Sequence, residues 1–136
     1  MPLQLVADTI RNKIDKFWDL EFPPDFRSVY DISIDSPLDV YVHWRRPEEF
    51  LHANYDLGLL QPVVFQDSCE PSDVKPGILG DEWFLSALAI LAERPALIER
   101  LFVTREINEF GVYRLKFCKN GEWVTVTIDD LFPCYP

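Results

Sequence analysis

The sequence predicts a mixed α/β (α+β) domain, built on one helix that is apolar on nearly every side, a β-hairpin and additional short helices. The helix is the run DEWFLSALAILA, which begins at Asp81. It carries no polar stripe along its length, and such a helix in a globular protein lies at the centre of the core. The hairpin follows from two alternating segments. Tyr113, Leu115 and Phe117 alternate with Arg114 and Lys116, and Val124, Val126 and Ile128 alternate with Thr125 and Thr127. A period of two reads as strand, and Asn120-Gly121 between the segments tolerates the positive φ angles of a tight turn.

The other elements follow in chain order. Val6, Ile10, Ile14 and Phe17 recur at helical spacing, so about residues 4 to 20 are expected as an amphipathic helix stopped by Pro23-Pro24. Asp39 to Trp44 is a short strand candidate. Pro47 after Arg46 suits the first turn of a helix, because proline there forfeits only an N–H that has no helical partner. Pro62, Pro71, Pro76, Gly77 and Gly80 mark the next stretch as mostly loop, with Val63-Val64-Phe65 as a strand candidate. A second helix is expected from Pro95 through Leu97, Ile98, Leu101 and Phe102, joined to the first by Glu93-Arg94.

Composition narrows the function. With 48% hydrophobic and 26% charged residues, the 136 residues suit one globular domain. Four Trp, ten Phe and five Tyr supply its large apolar surfaces. No run approaches the ~20 consecutive apolar residues of a membrane-spanning helix. The N-terminus shows neither a signal-peptide layout nor a glycine for myristoylation, so a cytoplasmic protein is expected. A net charge of -10 opposes binding to nucleic acid or anionic lipid, and no nucleic-acid partner is expected. Cys69, Cys118 and Cys134 fall at no metal-ligand spacing and are expected as free thiols.

Four segments together resemble the calpain family of cysteine proteases. Residues 77 to 95, GILGDEWFLSALAILAERP, are similar to the family's nucleophile segment, in which a Gly-x-Leu-Gly-Asp-Cys-Trp motif opens the central helix. Trp44-Arg45-Arg46-Pro47-Glu48 resembles its Trp-x-Arg-Pro-x-Glu element. Gly111-Val112-Tyr113-Arg114, and Gly121-Glu122-Trp123 through Ile128-Asp129-Asp130, resemble its hairpin. The resemblance covers about residues 22 to 133 and divides the chain into a helical extension, 1–21, and a truncated protease subdomain, 22–136. It implies a papain-like half-core, with the family's histidine and asparagine expected on a second subdomain beyond Tyr135-Pro136.

The resemblance also assigns site positions. Gly80, Asp81 and Trp83 match the motif, but Glu82 stands at the nucleophile, and Pro76 falls where the family's oxyanion glutamine would be. Proline has no donor to offer a developing negative charge. Glu82 has two readings. It could act as a catalytic carboxylate, which needs a positioned partner, or, with Asp81 as cap, it could stabilise the helix start by about 0.3–1 kcal/mol. The second is favoured. The three cysteines lie outside the motif. Neither His43 nor His52 matches the position of the family's histidine, so both read as structural, and a triad built from His43 and any cysteine needs a proximity that the sequence does not support.

Asp67, Glu70 and Asp73 crowd one loop, and hard oxygen ligands suit Ca²⁺. In calpains an aspartate matching Asp73 joins loop carbonyls and a later carboxylate around calcium, which makes Asp73 the metal candidate. Binding no tighter than ~10⁻⁴ M is expected, and a solvated acidic loop is the favoured alternative. No other cofactor is expected.

These readings combine into a catalytically inactive calpain-like module, an interaction or scaffolding domain of a larger polypeptide. Its partner would be another protein or the remainder of the protease core. Family members without catalytic residues include cytoskeletal proteins, which extends the expected location to the cytoskeleton. The alternative is a fragment of a calcium-dependent calpain-type endopeptidase.

Overall fold

The computed structural model describes residues 16–29, 42–51, 61–77 and 79–134. Its elements in chain order are β1 (His43–Arg45), α1 (Pro47–Leu51), α2 (Glu82–Ala92), α3 (Pro95–Glu99), β2 (Val112–Lys119), β3 (Glu122–Asp129) and β4 (Phe132–Cys134). Single 3-10 turns lie at Phe26–Ser28 and Pro71–Asp73. Helices mixed with two small sheets, β1–β4 and β2–β3, make the α+β class expected from the sequence. The chain forms two compact units. The first comprises Met1–Pro62, Ile107–Tyr113 and Thr127–Pro136, and the second Val63–Glu106 and Arg114–Val126.

In the first unit β1 and β4 pair antiparallel, with His43 opposite Cys134, Trp44 opposite Pro133 and Arg45 opposite Phe132. Edge-on aromatic pairs flank this ribbon: Phe22 with Trp44 at 6.3 Å and Phe50 with Phe132 at 6.0 Å between ring centres. Pro47 takes the first position of α1, as its ring favours, and the Glu49 carboxylate reaches back to accept the Arg46 N–H at 2.6 Å.

A buried ion pair holds the unit's remote segments together. The Arg46 guanidinium donates to the Asp130 carboxylate and, at 2.9 Å, to the Phe17 carbonyl. Arg46 is 8% exposed and Asp130 6%. Phe17, 2% exposed, also donates its N–H to the Phe110 carbonyl at 2.8 Å. Gly111 passes beside the pair with φ +61°, where a Cβ would stand 2.6 Å from Arg46 Nη1 and 2.7 Å from Asp130 Oδ1. Asp129 adds a further tie, accepting the Asp19 N–H at 2.8 Å and the Leu131 N–H at 3.0 Å.

These contacts revise the expected first helix. Residues 16–20 are irregular, and their backbone is bonded to distant segments instead of to its own next turn. Residues 4–15 of that expected helix lie outside the described residues. The contacts also reach the chain N-terminal to residue 22, where the extension was expected to end.

The core of the second unit is Ala92, Ile98 and Leu101, with Phe65, Leu88, Leu91, Phe102 and Phe117 packed against them. Burying an Ile or Leu side chain fully is worth about 1.5–3 kcal/mol, so this cluster is the main reason why α2 and α3 fold back on one another. Pro95 opens α3 as expected, but the helix ends at Glu99. Leu101 and Phe102 continue in a turn, after which the chain pairs with β2 through a Phe102–Leu115 bridge and a 2.6 Å bond from the Lys116 N–H to the Leu101 carbonyl. Pairing with a strand outside the local sequence thus overrides the helical period. Val63-Val64-Phe65 forms no strand. Phe65 instead lies edge-on to Phe102 at 4.7 Å.

The central helix is less enclosed than its composition predicts. Ala92 is buried and Leu88 and Leu91 face the core, yet Trp83 is 77% exposed and Ile90 73%. Packing within the unit occupies one side of α2 only. The hairpin forms as expected, with Asn120 at φ 54° and Gly121 at φ 82°, both in the left-handed region that its turn requires.

Candidate functional site

The candidate site is the start of α2. Glu82 is the first residue of the helix and is exposed, and among the described residues nothing hydrogen-bonds its carboxylate. Its carbonyl accepts the Ser86 hydroxyl at 2.7 Å. The Asp81 carbonyl accepts the N–H groups of Phe84 and Leu85 at 2.9 and 3.1 Å.

The Asp81 side chain does not cap the helix, contrary to expectation. An N-cap residue normally takes extended backbone to turn its side chain toward the first N–H groups, but Asp81 sits at φ -109°, ψ 15°. Its Oδ1 is buried with no partner among the described residues. Glu82 is the acidic residue in the first turn of the helix. Trp83 projects outward with its ring 5.6 Å from that of Phe84. Gly80 has open space where a Cβ would be, and Pro76 lies in the exposed approach to the helix.

No cysteine occupies this position in the chain. Cys69 packs on the Ala92, Ile98 and Leu101 cluster, and burial pushes its thiol pKa up, with the charges of Asp73 and Glu99 adding to the effect. A thiol held neutral is a poor nucleophile. Cys118 is exposed on β2. Cys134 is different: the structure does bring it opposite a histidine, His43, in the β1–β4 register. Directly opposed side chains have Cβ atoms about 4.5–5.5 Å apart. The proximity that the sequence does not support is therefore present. Even so, the Cys134 thiol points its hydrogen bond at the Phe132 carbonyl, 3.5 Å away, and not at the imidazole. His52 lies outside the described residues.

Asp73 ends the 3-10 turn, and its Oδ2 accepts the Glu70 N–H at 2.9 Å. Its carboxylate thus orders the loop that holds it. Among the described residues no group of three or more His, Cys, Asp or Glu gathers where a metal ion could sit. Asp67, Glu70 and Asp73 are exposed and do not converge on a calcium cage. No helix among the described residues is long and apolar enough to cross a membrane.

A helix entered through Gly80-Asp81 and followed by a strand hairpin is the arrangement that the resemblance implies. The family model for calpain family cysteine proteases matches residues 17–136, and the chain belongs to that family. It is 42% identical over 132 residues to the calpain-type cysteine protease DEK1 of Arabidopsis thaliana, covering 95% of this chain and 6% of that protein. The maize DEK1 is 41% identical over 133 residues, covering 96% of this chain and again 6% of the relative. Calpain-5 of Caenorhabditis elegans is 32% identical over 128 residues, covering 89% of this chain and 18% of its own length. The chain thus spans a small part of the relatives it matches.

Three of the matched segments owe part of their pattern to structure. Arg46, Gly111 and Asp130 meet in the buried pair of the first unit, a grouping that the sequence reading did not make. The available signal was the presence of a charged residue in each of two motifs, one before α1 and one after β3.

Proposed function

We propose that this chain is a catalytically inactive calpain-type module that serves as an interaction domain of a larger calpain-related polypeptide in the cytoplasm. The observation that carries the proposal is Glu82. A carboxylate with no hydrogen-bonding partner opens the helix at the position where the family motif has its thiol, and a carboxylate cannot replace a thiolate in forming a thioester. Pro76, at the position matched to the oxyanion glutamine, points the same way, because it offers no donor. The exposed Trp83 and Ile90 on α2 give an interaction domain an apolar face to offer, either to another protein or to the remainder of a protease core.

The test is hydrolysis of labelled casein, with and without calcium, by the 136-residue chain and by the polypeptide that carries it. No turnover above a buffer blank is expected from either. Turnover that disappears in Glu82→Ala would overturn the proposal.

A second reading is favoured by the names of the relatives, which are proteases: the chain is part of a calcium-dependent cysteine endopeptidase in which Glu82 replaces the native nucleophile. Under that reading Glu82→Cys in the carrying polypeptide restores calcium-dependent turnover. Under the first it does not.

A further inference from the structure

A groove of about 510 Å³ in the second unit is lined by Arg100, Lys116, Trp123 and Thr125. We propose that it binds an acidic peptide segment, with the carboxylates held by Arg100 and Lys116 and a neighbouring apolar side chain laid against Trp123. The assignment does not depend on the chemistry at Glu82. It would make the groove a recognition surface in an inactive module and a substrate-directing surface in an active protease.

The backbone fixes the constellation. Arg100 closes α3, donating its N–H to the Ala96 carbonyl at 3.2 Å. The next residue, Leu101, accepts the Lys116 N–H at 2.6 Å, which sets β2 beside the helix end and brings the two cations into one groove. Trp123 and Thr125 are two apart on β3 and so share a face of the strand. Their half of the groove offers an indole that is 65% exposed and a hydroxyl donor.

Charge selects the occupant. The chain carries a net charge of -10, yet these two exposed cations take part in none of the ion pairs among the described residues, which join Lys16 to Glu48, Arg27 to Asp25, Arg46 to Asp130 and Arg105 to Glu99. The groove is thus a locally basic site on an acidic protein. Two cations are far fewer than the row of phosphate contacts on which nucleic-acid affinity depends. The volume exceeds that of a single inorganic anion, and the indole gives the ligand an apolar surface to cover. An acidic segment with an aromatic or aliphatic residue among its carboxylates satisfies all three features.

The test is fluorescence anisotropy of the whole chain with a labelled Glu-Glu-Phe-Glu-Glu-Leu peptide. Saturable binding that weakens with added salt is expected, since the contacts are exposed and screened. Arg100→Ala and Lys116→Ala should each lower affinity about two- to fivefold, and the double variant about tenfold, as exposed ion pairs do. Trp123→Ala should weaken binding while leaving the circular dichroism spectrum unchanged. Equal affinity for a peptide with lysine in place of glutamate, or unchanged affinity in the double variant, would overturn the proposal. Displacement by inorganic phosphate at the peptide's own concentration would reduce the groove to a simple anion site, and tighter binding of a single-stranded oligonucleotide would assign it to nucleic acid. Either result also overturns it.

Discussion

Replacing Asp130 by alanine should be among the most damaging single changes in the first unit. The side chains of Arg46 and Asp130 are only 10% and 7% exposed, so solvent screens the pair little. Exposed ion pairs are worth about 0.2–1 kcal/mol. Removing one partner of a buried pair costs about 3–5 kcal/mol instead, because the other charge is left without compensation. In Asp130→Ala the guanidinium keeps its 2.9 Å bond to the Phe17 carbonyl, which places the expected loss near the lower end, at about 3 kcal/mol. Against the ~5–15 kcal/mol of an ordinary domain, that is a large share. Urea denaturation followed by circular dichroism measures it as a lower midpoint with an unchanged slope. A double-mutant cycle with Arg46→Met isolates the pair, and the double variant should be more stable than Asp130→Ala alone, since no cation is then buried unpaired. A loss below about 1 kcal/mol in Asp130→Ala, or additive losses in the cycle, would refute the reasoning.

Gly111→Ala places a methyl group within 2.7 Å of both charged groups at a φ of +61°, so about 2–4 kcal/mol of destabilisation is expected from left-handed strain and overlap together, read from the same denaturation curves. Cys69 should react with iodoacetamide more slowly than the exposed Cys118, as peptide mapping of timed samples would show, and equal rates would remove the argument from burial. Because burial raises the Cys69 pKa, its contribution to stability is fully present below the unfolded value of about 8.5 and is lost as pH rises toward the folded one, so stability should fall in that alkaline window and fall less in Cys69→Ala. Calcium titrated by calorimetry should bind no tighter than ~10⁻⁴ M, with the Asp73 carboxylate already engaged by the Glu70 N–H, whereas micromolar binding lost in Asp73→Ala would contradict that.

The features that the sequence disclosed are those decided within a few residues. Asn120-Gly121 specifies its turn through the φ angles that the two residues tolerate, and Pro47 and Pro95 mark helix starts because proline costs nothing there. Glu82 could be placed at the first turn of α2 for the same reason, since the motif and the helix begin together. What stayed hidden depends on pairing over distance. Phe132–Cys134 becomes a strand only because His43–Arg45 lies beside it, and Arg46 is separated by 84 positions from the aspartate that neutralises it. Val63-Val64-Phe65 has the composition of a strand but pairs with no strand among the described residues, and its phenylalanine packs against the core instead. The exposed side of α2 was missed because an all-apolar pattern reports how much surface a helix could bury, not how much its neighbours cover.

The Phe17 carbonyl has a practical consequence for where this domain can be cut. It is a backbone oxygen that accepts a hydrogen bond from the Arg46 guanidinium, so its contribution is independent of which side chain residue 17 bears. A chain shortened to begin at residue 22 would keep all four segments that carry the resemblance and yet leave that donor without its acceptor. The useful N-terminal boundary is therefore set by a backbone atom of the residue at which the family match also begins, and fragments intended for expression should retain residue 17 together with the residues just before it.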